Sequence, residues 1–317
     1  MSGANLRFVD AAAVERLLDD ATLIERLAAM FRSPCEAPLR HHHHVATPTG
    51  AGGTLLLMPA WQAGRHLGIK SVTVFPDNAA RSLPTVSGLY LLLDGTNGMP
   101  LAVIDGVSLT LRRTAAASAL AARYLARADA SHLLMVGAGA LAPNLIRAHA
   151  AVRPIRQVAL WNRTRAHAEA LAAKLAGDFD VIVADDLEAA ARAADVISCA
   201  TLSKRPLIHG AWLRPGSHLD LVGGFTPEMR EADDEAARRA KIFVDTRAGA
   251  TREAGDIAEP LARGIITETD IQADLFALSA GAHRGRLAAD EITLFKSVGT
   301  ALEDLAAAAL VHERLAS

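Results

Sequence analysis

The sequence has only two cysteines in 317 residues, Cys35 and Cys199. They stand far apart and lack a metal-ligand spacing, so a disulfide framework is excluded and a reducing compartment is expected. Positive charge is also in short supply. The net charge is −2 and there is no basic block, which excludes nucleic acid and an anionic membrane as main partners. No apolar run approaches the ~18 residues that a membrane span requires. The opening "MSGANLRFVD" has no apolar signal core, so a soluble, cytoplasmic protein is expected. Internal repeats, low-complexity linkers and disordered tails are missing as well.

What is present is apolar and periodic. Hydrophobic residues make up 51% of the chain, and the length suits roughly two domains. Over residues 10–32, Val14, Leu17, Leu18, Ala21, Ile24, Leu27, Ala28 and Phe31 recur at helical spacing. Asp10 is placed to cap the start of this helix, and Asp20 to open a second helix after a break. Extended runs follow, "RHHHHVAT", "TLLLMPAW", "HLGIKSVTVF" and "VSGLYLLLD", and "DGTNG" turns into "MPLAVID" as a hairpin. Residues 1–105 therefore read as an α+β domain with a largely antiparallel sheet. The pattern changes near Ser108. A long Ala-rich helix leads into short apolar strands that alternate with helices as far as "KIFVDT", the signature of a buried parallel sheet. "TLFKSVG" then supplies another strand, and a long helix follows. The predicted fold class is α/β, a doubly wound parallel-sheet dinucleotide-binding domain of the Rossmann type with an α+β domain beside it.

"HLLMVGAGALAPNLIRAHA" carries the cofactor signature. Gly137, Gly139 and Ala142 form G-x-G-x-x-A between an apolar strand and a helix. The first glycine permits the tight turn, the second lets backbone approach a pyrophosphate, and the alanine lets helix and strand pack closely. Ala138, Ala140 and Leu141 complete the loop, and the helix N-terminus offers N–H donors to phosphate. The next strand ends in Asn162, Arg163 and Thr164, where NAD-binding domains usually place an acid for the ribose diol. A guanidinium and a hydroxyl suit a 2′-phosphate instead, so NADPH is the expected cofactor, with NADH a possible second. Asp245 and Thr246 end another core strand, a position where ligands of open α/β sheets collect.

The run "LRHHHHVATP" raises the question of a metal. Alternation along a strand puts Arg40, His42 and His44 on one face and His41 and His43 on the other. Catalytic zinc needs a third protein ligand, and none stands nearby in the sequence, so no metal site is expected.

"LMPAW", "LGIKSVTVFPDN", "LPTVSGLYLLLDGTNGMPLAVIDG", "LTLRRTAAASALAARYLAR", "VGAGALA", "WNRT" and "LFKSVG" occur in this order. Together they resemble the ornithine cyclodeaminase/μ-crystallin family over nearly the whole chain. The resemblance implies a substrate-binding and dimerisation domain over 1–112 and 300–317, a dinucleotide-binding domain over 113–299, and a homodimer. It implies an active-site lysine at Lys70, which would bind a substrate carboxylate or donate a proton. Arg113 matches the family arginine in "RRTAA"; one of Arg113 and its neighbour Arg112 would reach the substrate carboxylate or the cofactor and the other would be solvated, and Arg40 is implied as a second clamp on the carboxylate. The resemblance also places Thr114, Lys296, Ser297 and Gly299 at the cofactor. Thr226 is either a hydrogen-bond donor to substrate or water, or an ordinary turn residue.

Two departures narrow the activity. The cyclodeaminases carry a glutamate where this chain has Leu56 and an aspartate where it has Phe225. Neither replacement moves protons, so the chain looks more like the Δ1-pyrroline-2-carboxylate reductases, the ketimine reductases of this family. The expected substrate is a small cyclic imino acid. The alternatives are an alanine dehydrogenase-like or N-alkyl amino acid dehydrogenase, an ornithine cyclodeaminase, or a non-catalytic small-ligand binder.

Overall fold

The computed structural model describes residues 6–48, 50 and 52–316. The first element among them is a short strand, β1 (Arg7–Val9). The Asp10 carboxylate then accepts from the Ala13 amide at 2.8 Å and caps α1 (Ala11–Leu17). The next cap is Asp19, not Asp20. Its backbone is extended and its carboxylate accepts from the Thr22 amide at 2.9 Å, so that Asp20 becomes the first residue of α2 (Asp20–Arg32). This leaves the Asp20 side chain for an ion pair described below.

Strands β2 (His41–Val45), β3 (Gly53–Gln62), β4 (His66–Val74), β5 (Val86–Asp94) and β6 (Pro100–Asp105) follow, and α3 (Gly106–Leu125) leads onward. The alternating units come next: β7 (His132–Val136), α4 (Ala142–Val152), β8 (Gln157–Trp161), α5 (Arg165–Leu175), β9 (Asp180–Val183), α6 (Leu187–Ala193), β10 (Val196–Cys199), β11 (His218–Leu221), α7 (Asp234–Arg239) and β12 (Lys241–Val244). Then come α8 (Arg247–Glu253), α9 (Gly255–Ala262), β13 (Ile271–Asp274), α10 (Leu275–Ser279), β14 (Thr293–Lys296) and α11 (Ala301–Ala316). None of these helices is long and apolar enough to cross a membrane.

The chain divides into two units, Met1–Arg113 with Thr300–Ser317, and Thr114–Gly299. In the first, the sheet order is β1-β6-β5-β4-β3-β2, antiparallel except for the parallel β1–β6 pair. Met58, Lys70, Tyr90, Leu92, Ala102 and Ile104 are buried and alternate with half-exposed neighbours, as the two-residue period of a strand requires. α11 packs on β3, β4 and α2.

In the second unit the sheet is wholly parallel, in the order β13-β12-β14-β11-β10-β7-β8-β9. Its central strands are buried throughout; Leu133–Val136 and Val196–Cys199 expose almost nothing. This is a doubly wound, Rossmann-type sheet. From β7 the chain builds outward to β8 and β9, then crosses back to β10. The point between β7 and β10 is where such sheets open a crevice at their carboxyl ends.

Candidate active site

That crevice holds a cavity of about 340 Å³. Gly137 turns the chain out of β7 with φ +106°, and a Cβ there would stand 2.6 Å from the Ala200 carbonyl oxygen, so only glycine fits. Gly139 is different. A Cβ there would meet nothing within 4 Å, so the protein itself does not require glycine at this point. The open space in front of Gly139 is what a close-lying pyrophosphate needs. Ala142 is buried as the first residue of α4, and no side chain caps that helix because Leu141 has no acceptor to offer. The Ala142 amide donates to the Gly139 carbonyl at 3.1 Å and Pro143 has no N–H, so the backbone that lines the cavity is the Gly137–Gly139 loop before the helix. Ala140 accepts a hydrogen bond from Asn144 Nδ2 at 3.2 Å.

Asn162 ties this loop to the end of β8. Its Oδ1 accepts from the Ala138 amide at 3.2 Å and its Nδ2 donates to the Thr164 carbonyl at 2.8 Å. Both ends of the amide are engaged, so Asn162 is a positioning residue. Thr164 occupies the N-cap position of α5 without capping it through its side chain. Arg163, Thr164 and His167 line the cavity, and no Asp or Glu is among its lining residues. His167 escaped the sequence reading, because a histidine in the first turn of a helix resembles a solvated side chain. The fit to a dinucleotide is therefore good: an open glycine, a helix start with no side-chain cap, and an arginine with no acid beside it in the lining.

The carboxyl ends of β11, β12 and β14 carry a second set of groups in the same unit. Lys296 is fully buried and pairs with Asp256 at 3.2 Å. Asp256 Oδ1 accepts from the Glu231 and Ala232 amides at 2.7 and 3.1 Å. Glu231 accepts from the Thr201 amide and hydroxyl at 2.7 and 2.8 Å and from the Gly223 amide at 2.8 Å. Burial pushes its carboxyl up to about 7, against the pull of Lys296. Asp245 is not open to ligand. Its Oδ2 accepts from the Val298 and Gly299 amides, both at 2.7 Å, and so fixes the turn that follows the buried Ser297. Thr226 closes a turn, its carbonyl accepting from the Met229 amide at 3.1 Å, while its side chain hydrogen-bonds Glu228 and helps hold that carboxyl below its usual range. Phe225 before it is 46% exposed. Thr114 is half-buried in α3.

The first unit gathers its own charges. Lys70 is 2% exposed, with Nζ 2.9 and 2.8 Å from the two Asp304 oxygens and 3.3 Å from the Thr110 hydroxyl. Arg113 donates from Nε to the same Asp304 at 2.9 Å and from Nη1 to Glu303 at 2.6 Å. One aspartate on α11 thus bridges both cations. Burial, reinforced by the Arg113 charge and opposed by Asp304, pushes the Lys70 ammonium down to about 8; Arg40 acts in the same direction as Arg113. Tyr90, opposite Lys70 on β5, is buried and its phenol is held un-ionised by burial and by Asp304. Gly68 makes room for it, since a Cβ there would lie 2.0 Å from the Tyr90 hydroxyl oxygen.

The idea that one of the two adjacent arginines is solvated fails. Arg112 is 6% exposed, pairs with Asp20 at 2.9 Å and donates to the Leu18 carbonyl. It fastens α3 to the α1–α2 break. Glu303 and Asp304 escaped the sequence reading, since two acids in an Ala-rich helix resemble a solvated stripe. Arg40 is half-buried at the start of β2, the edge strand, and His41–His44 are all exposed. Among the described residues no group of three His, Cys, Asp or Glu side chains is arranged to hold a metal ion.

The family model for the ornithine cyclodeaminase/mu-crystallin family matches residues 6–317. The chain belongs to this family. A Delta(1)-pyrroline-2-carboxylate reductase of Paracoccus denitrificans is 43% identical over 266 residues, covering 83% of this chain and 84% of that protein. The Thermococcus litoralis Delta(1)-pyrroline-2-carboxylate reductase, solved with NADH and L-proline, superposes with a TM-score of 0.92 at 32% identity, covering 98% of each chain. An archaeal alanine dehydrogenase, solved as a dimer with bound NAD, gives 0.91 at 30% identity over 98% of this chain and 96% of that one. Leu56 is half-buried on β3 between His42 and Val72, and neither it nor Phe225 can carry a proton.

Proposed function

We propose that the chain is an NAD(P)H-dependent reductase of cyclic ketimine acids, taking Δ1-pyrroline-2-carboxylate to L-proline and Δ1-piperideine-2-carboxylate to L-pipecolate. The observation that carries this reading is the pair of buried cations, Lys70 and Arg113, held on one aspartate, in a chain with no acid at 56 or 225. Reduction of a cyclic imine needs a protonated nitrogen and an anchored carboxylate. It does not need the extra proton transfers of deamination and ring closure. When bound, the reduced nicotinamide supplies hydride to C2 of the imine. Lys70 binds the substrate carboxylate or gives its proton toward the imine nitrogen, Arg113 and Arg40 add positive charge for the carboxylate, and the Thr226 hydroxyl can donate to substrate once it leaves Glu228. The dinucleotide rests on Gly137–Leu141, with Thr114 and the Lys296–Gly299 segment as further cofactor contacts. NADPH is preferred over NADH on the strength of Arg163 and the acid-free cavity. Orienting the reactants can itself lower the barrier by up to ~7–11 kcal/mol.

The deciding assay follows NADPH and NADH oxidation with both cyclic ketimines and with pyruvate plus ammonia or methylamine, and separately measures proline and ammonia from L-ornithine with catalytic NAD+. Turnover of the cyclic substrates is expected to dominate, and ornithine to give no more than traces of proline. Robust proline and ammonia from ornithine would overturn the reading. Faster reduction of pyruvate with an amine would favour the open-chain alternative, to which the likeness to the alanine dehydrogenase lends weight.

The proposed assembly is a homodimer. Pro59, Ile69, Leu91 and Val103 form a cross-strand row on the half-exposed face of the first sheet, flanked by Trp61, Leu67 and Leu93. An apolar face of this extent is a liability unless covered, and a second copy covers it by two-fold symmetry. Light scattering at micromolar concentration is expected to give twice the 33.3 kDa chain mass; a monomer would refute the assembly. The cytoplasm is the proposed setting, where Cys35 and Cys199, both free thiols in the structure, stay reduced.

A further inference from the structure

We propose that Glu231 is a positioning residue for hydride transfer: through Thr201 it holds the side of the cavity that receives the nicotinamide end of the cofactor, a role that rests on the reading of this cavity as the dinucleotide site.

The cavity has two unlike sides. The loop after β8 brings Arg163, the cation of the lining. The loop after β10 brings Ala200, Thr201, Leu202 and Ser203, none of them charged. A dinucleotide that crosses the crevice with its pyrophosphate at the glycine loop and its adenosine ribose at the end of β8 lays its second nucleotide against the uncharged side.

Thr201 is the fixed point of that side. A Cβ on Gly137 would come 3.2 Å from the Thr201 Cγ2, so this methyl rests on the glycine turn itself. The Thr201 amide and hydroxyl both donate to Glu231 Oε1, at 2.7 and 2.8 Å, and the hydroxyl oxygen accepts from the Ser203 amide at 3.3 Å. Glu231 thus sets the direction of the hydroxyl, and the hydroxyl shapes the turn that follows. The main chain strengthens the tie. The Ser203 carbonyl accepts from the Arg230 amide and the Glu231 carbonyl from the Leu207 amide, both at 2.9 Å. Glu231 Oε2 accepts from the Gly223 amide at 2.8 Å, and a Cβ on Gly223 would lie 2.0 Å from the Thr201 carbonyl oxygen, so the loops after β10 and β11 touch. Glu231 is fully buried with both oxygens engaged, so it acts through Thr201 and not on substrate.

Stability does not account for a carboxylate at this place. Burial pushes it up to about 7, opposed by Lys296 and reinforced by Asp256. A carboxyl raised on folding contributes stability that is fully present below its ordinary 4.5 and is lost as pH rises through about 7. At pH 8 the acid is therefore ionised at a cost to the fold. What the ionised form offers is a pure acceptor for three donors, which an amide side chain cannot be.

Glu231→Gln keeps the shape but turns an NH2 toward Thr201 or Gly223. The test is calorimetric titration at pH 8 with NADH and with ADP, which carries only the adenosine and pyrophosphate. NADH is expected to bind about tenfold or more weakly, and ADP to change by less than about twofold. At saturating NADH, kcat for a cyclic ketimine should fall by about ten- to a hundredfold, the scale of a misplaced reactant, with the KM for the ketimine little changed. Thr201→Val, which removes the hydroxyl, should weaken NADH in the same way, and Thr201→Ser, which keeps it, should not. Glu231→Gln combined with Thr201→Val should be no worse than the more damaging single change. ADP weakened as much as NADH, or full additivity of the two substitutions, would mark general support of the fold and overturn the role of Glu231. If Glu231→Gln does not fold, the Thr201 variants decide alone, and equal NADH affinity in Thr201→Val and Thr201→Ser overturns the proposal. Failure of the wild type to bind either NADH or NADPH would instead overturn the reading of the cavity.

Discussion

Lys70→Met is expected to lower turnover of a cyclic ketimine by at least ~100-fold, the scale associated with losing a positioned acid or charge. Methionine keeps the length and the apolar stem of the side chain. Asp304 retains Arg113 as a partner at 2.9 Å, so the buried acid is not stranded and the fold is expected to survive. The pH profile separates the two roles of Lys70. Its ammonium loses its proton near 8, so wild-type activity that depends on the cation falls as pH rises through that value. A proton donor gives an alkaline limb in kcat that disappears in the variant. A carboxylate anchor shows chiefly as a raised KM with the shape of the kcat profile kept. Near-normal kcat and KM in a folded Lys70→Met protein would remove both roles and leave Arg40 and Arg113 as the substrate's cationic contacts.

Asp304→Asn should be the more damaging change to the fold. It leaves Lys70 and Arg113 buried together with Glu303 as the remaining acid of the α11 pair. Stranding a buried charge costs about 3–5 kcal/mol, a large share of the 5–15 kcal/mol that a typical fold has in hand. The denaturant midpoint is expected to drop accordingly. Asp304 also holds the Lys70 ammonium up against burial, so its neutralisation should move the alkaline limb of activity to lower pH by about one unit or more. A purely structural role predicts lower stability with the limb in place, and that outcome would refute the proposed coupling. Asp304→Glu, which keeps the charge, should recover part of both properties.

The regular parts of this chain were legible because each obeys a single period. β3, β4 and β5 alternate, and β7, β8 and β10 are short apolar runs closed by helices; the glycine loop after β7 sits where its chemistry demands. The segment 247–279 was not legible, since α8, α9, β13 and α10 are four to eight residues each, too short for a period to emerge. The site was legible for cations and opaque for anions. Lys70 stands out in an apolar strand, and Arg163 stands where an acid is usual. Glu303, Asp304, Glu231 and Asp256 lie in ordinary helical or loop contexts, where an acid normally meets water. Only the packed structure shows that each faces inward, toward Arg113, Lys70 or Lys296.

α11 belongs with the first unit although 186 residues of the second (114–299) precede it in the chain. On the ribosome this order has a consequence. At about 5–20 residues per second, synthesis of that stretch takes roughly 10–40 s. Through most of that interval β3–β6 and α3 have been synthesised, yet Lys70 and Arg113 have no Asp304 or Glu303 to meet them. The nascent first unit therefore keeps its cations in water and its sheet unsealed, while the second unit, continuous in sequence, is free to fold. The unit that begins first finishes last, and the helix that closes its core delivers, in the same event, the acids that hold Lys70 and Arg113.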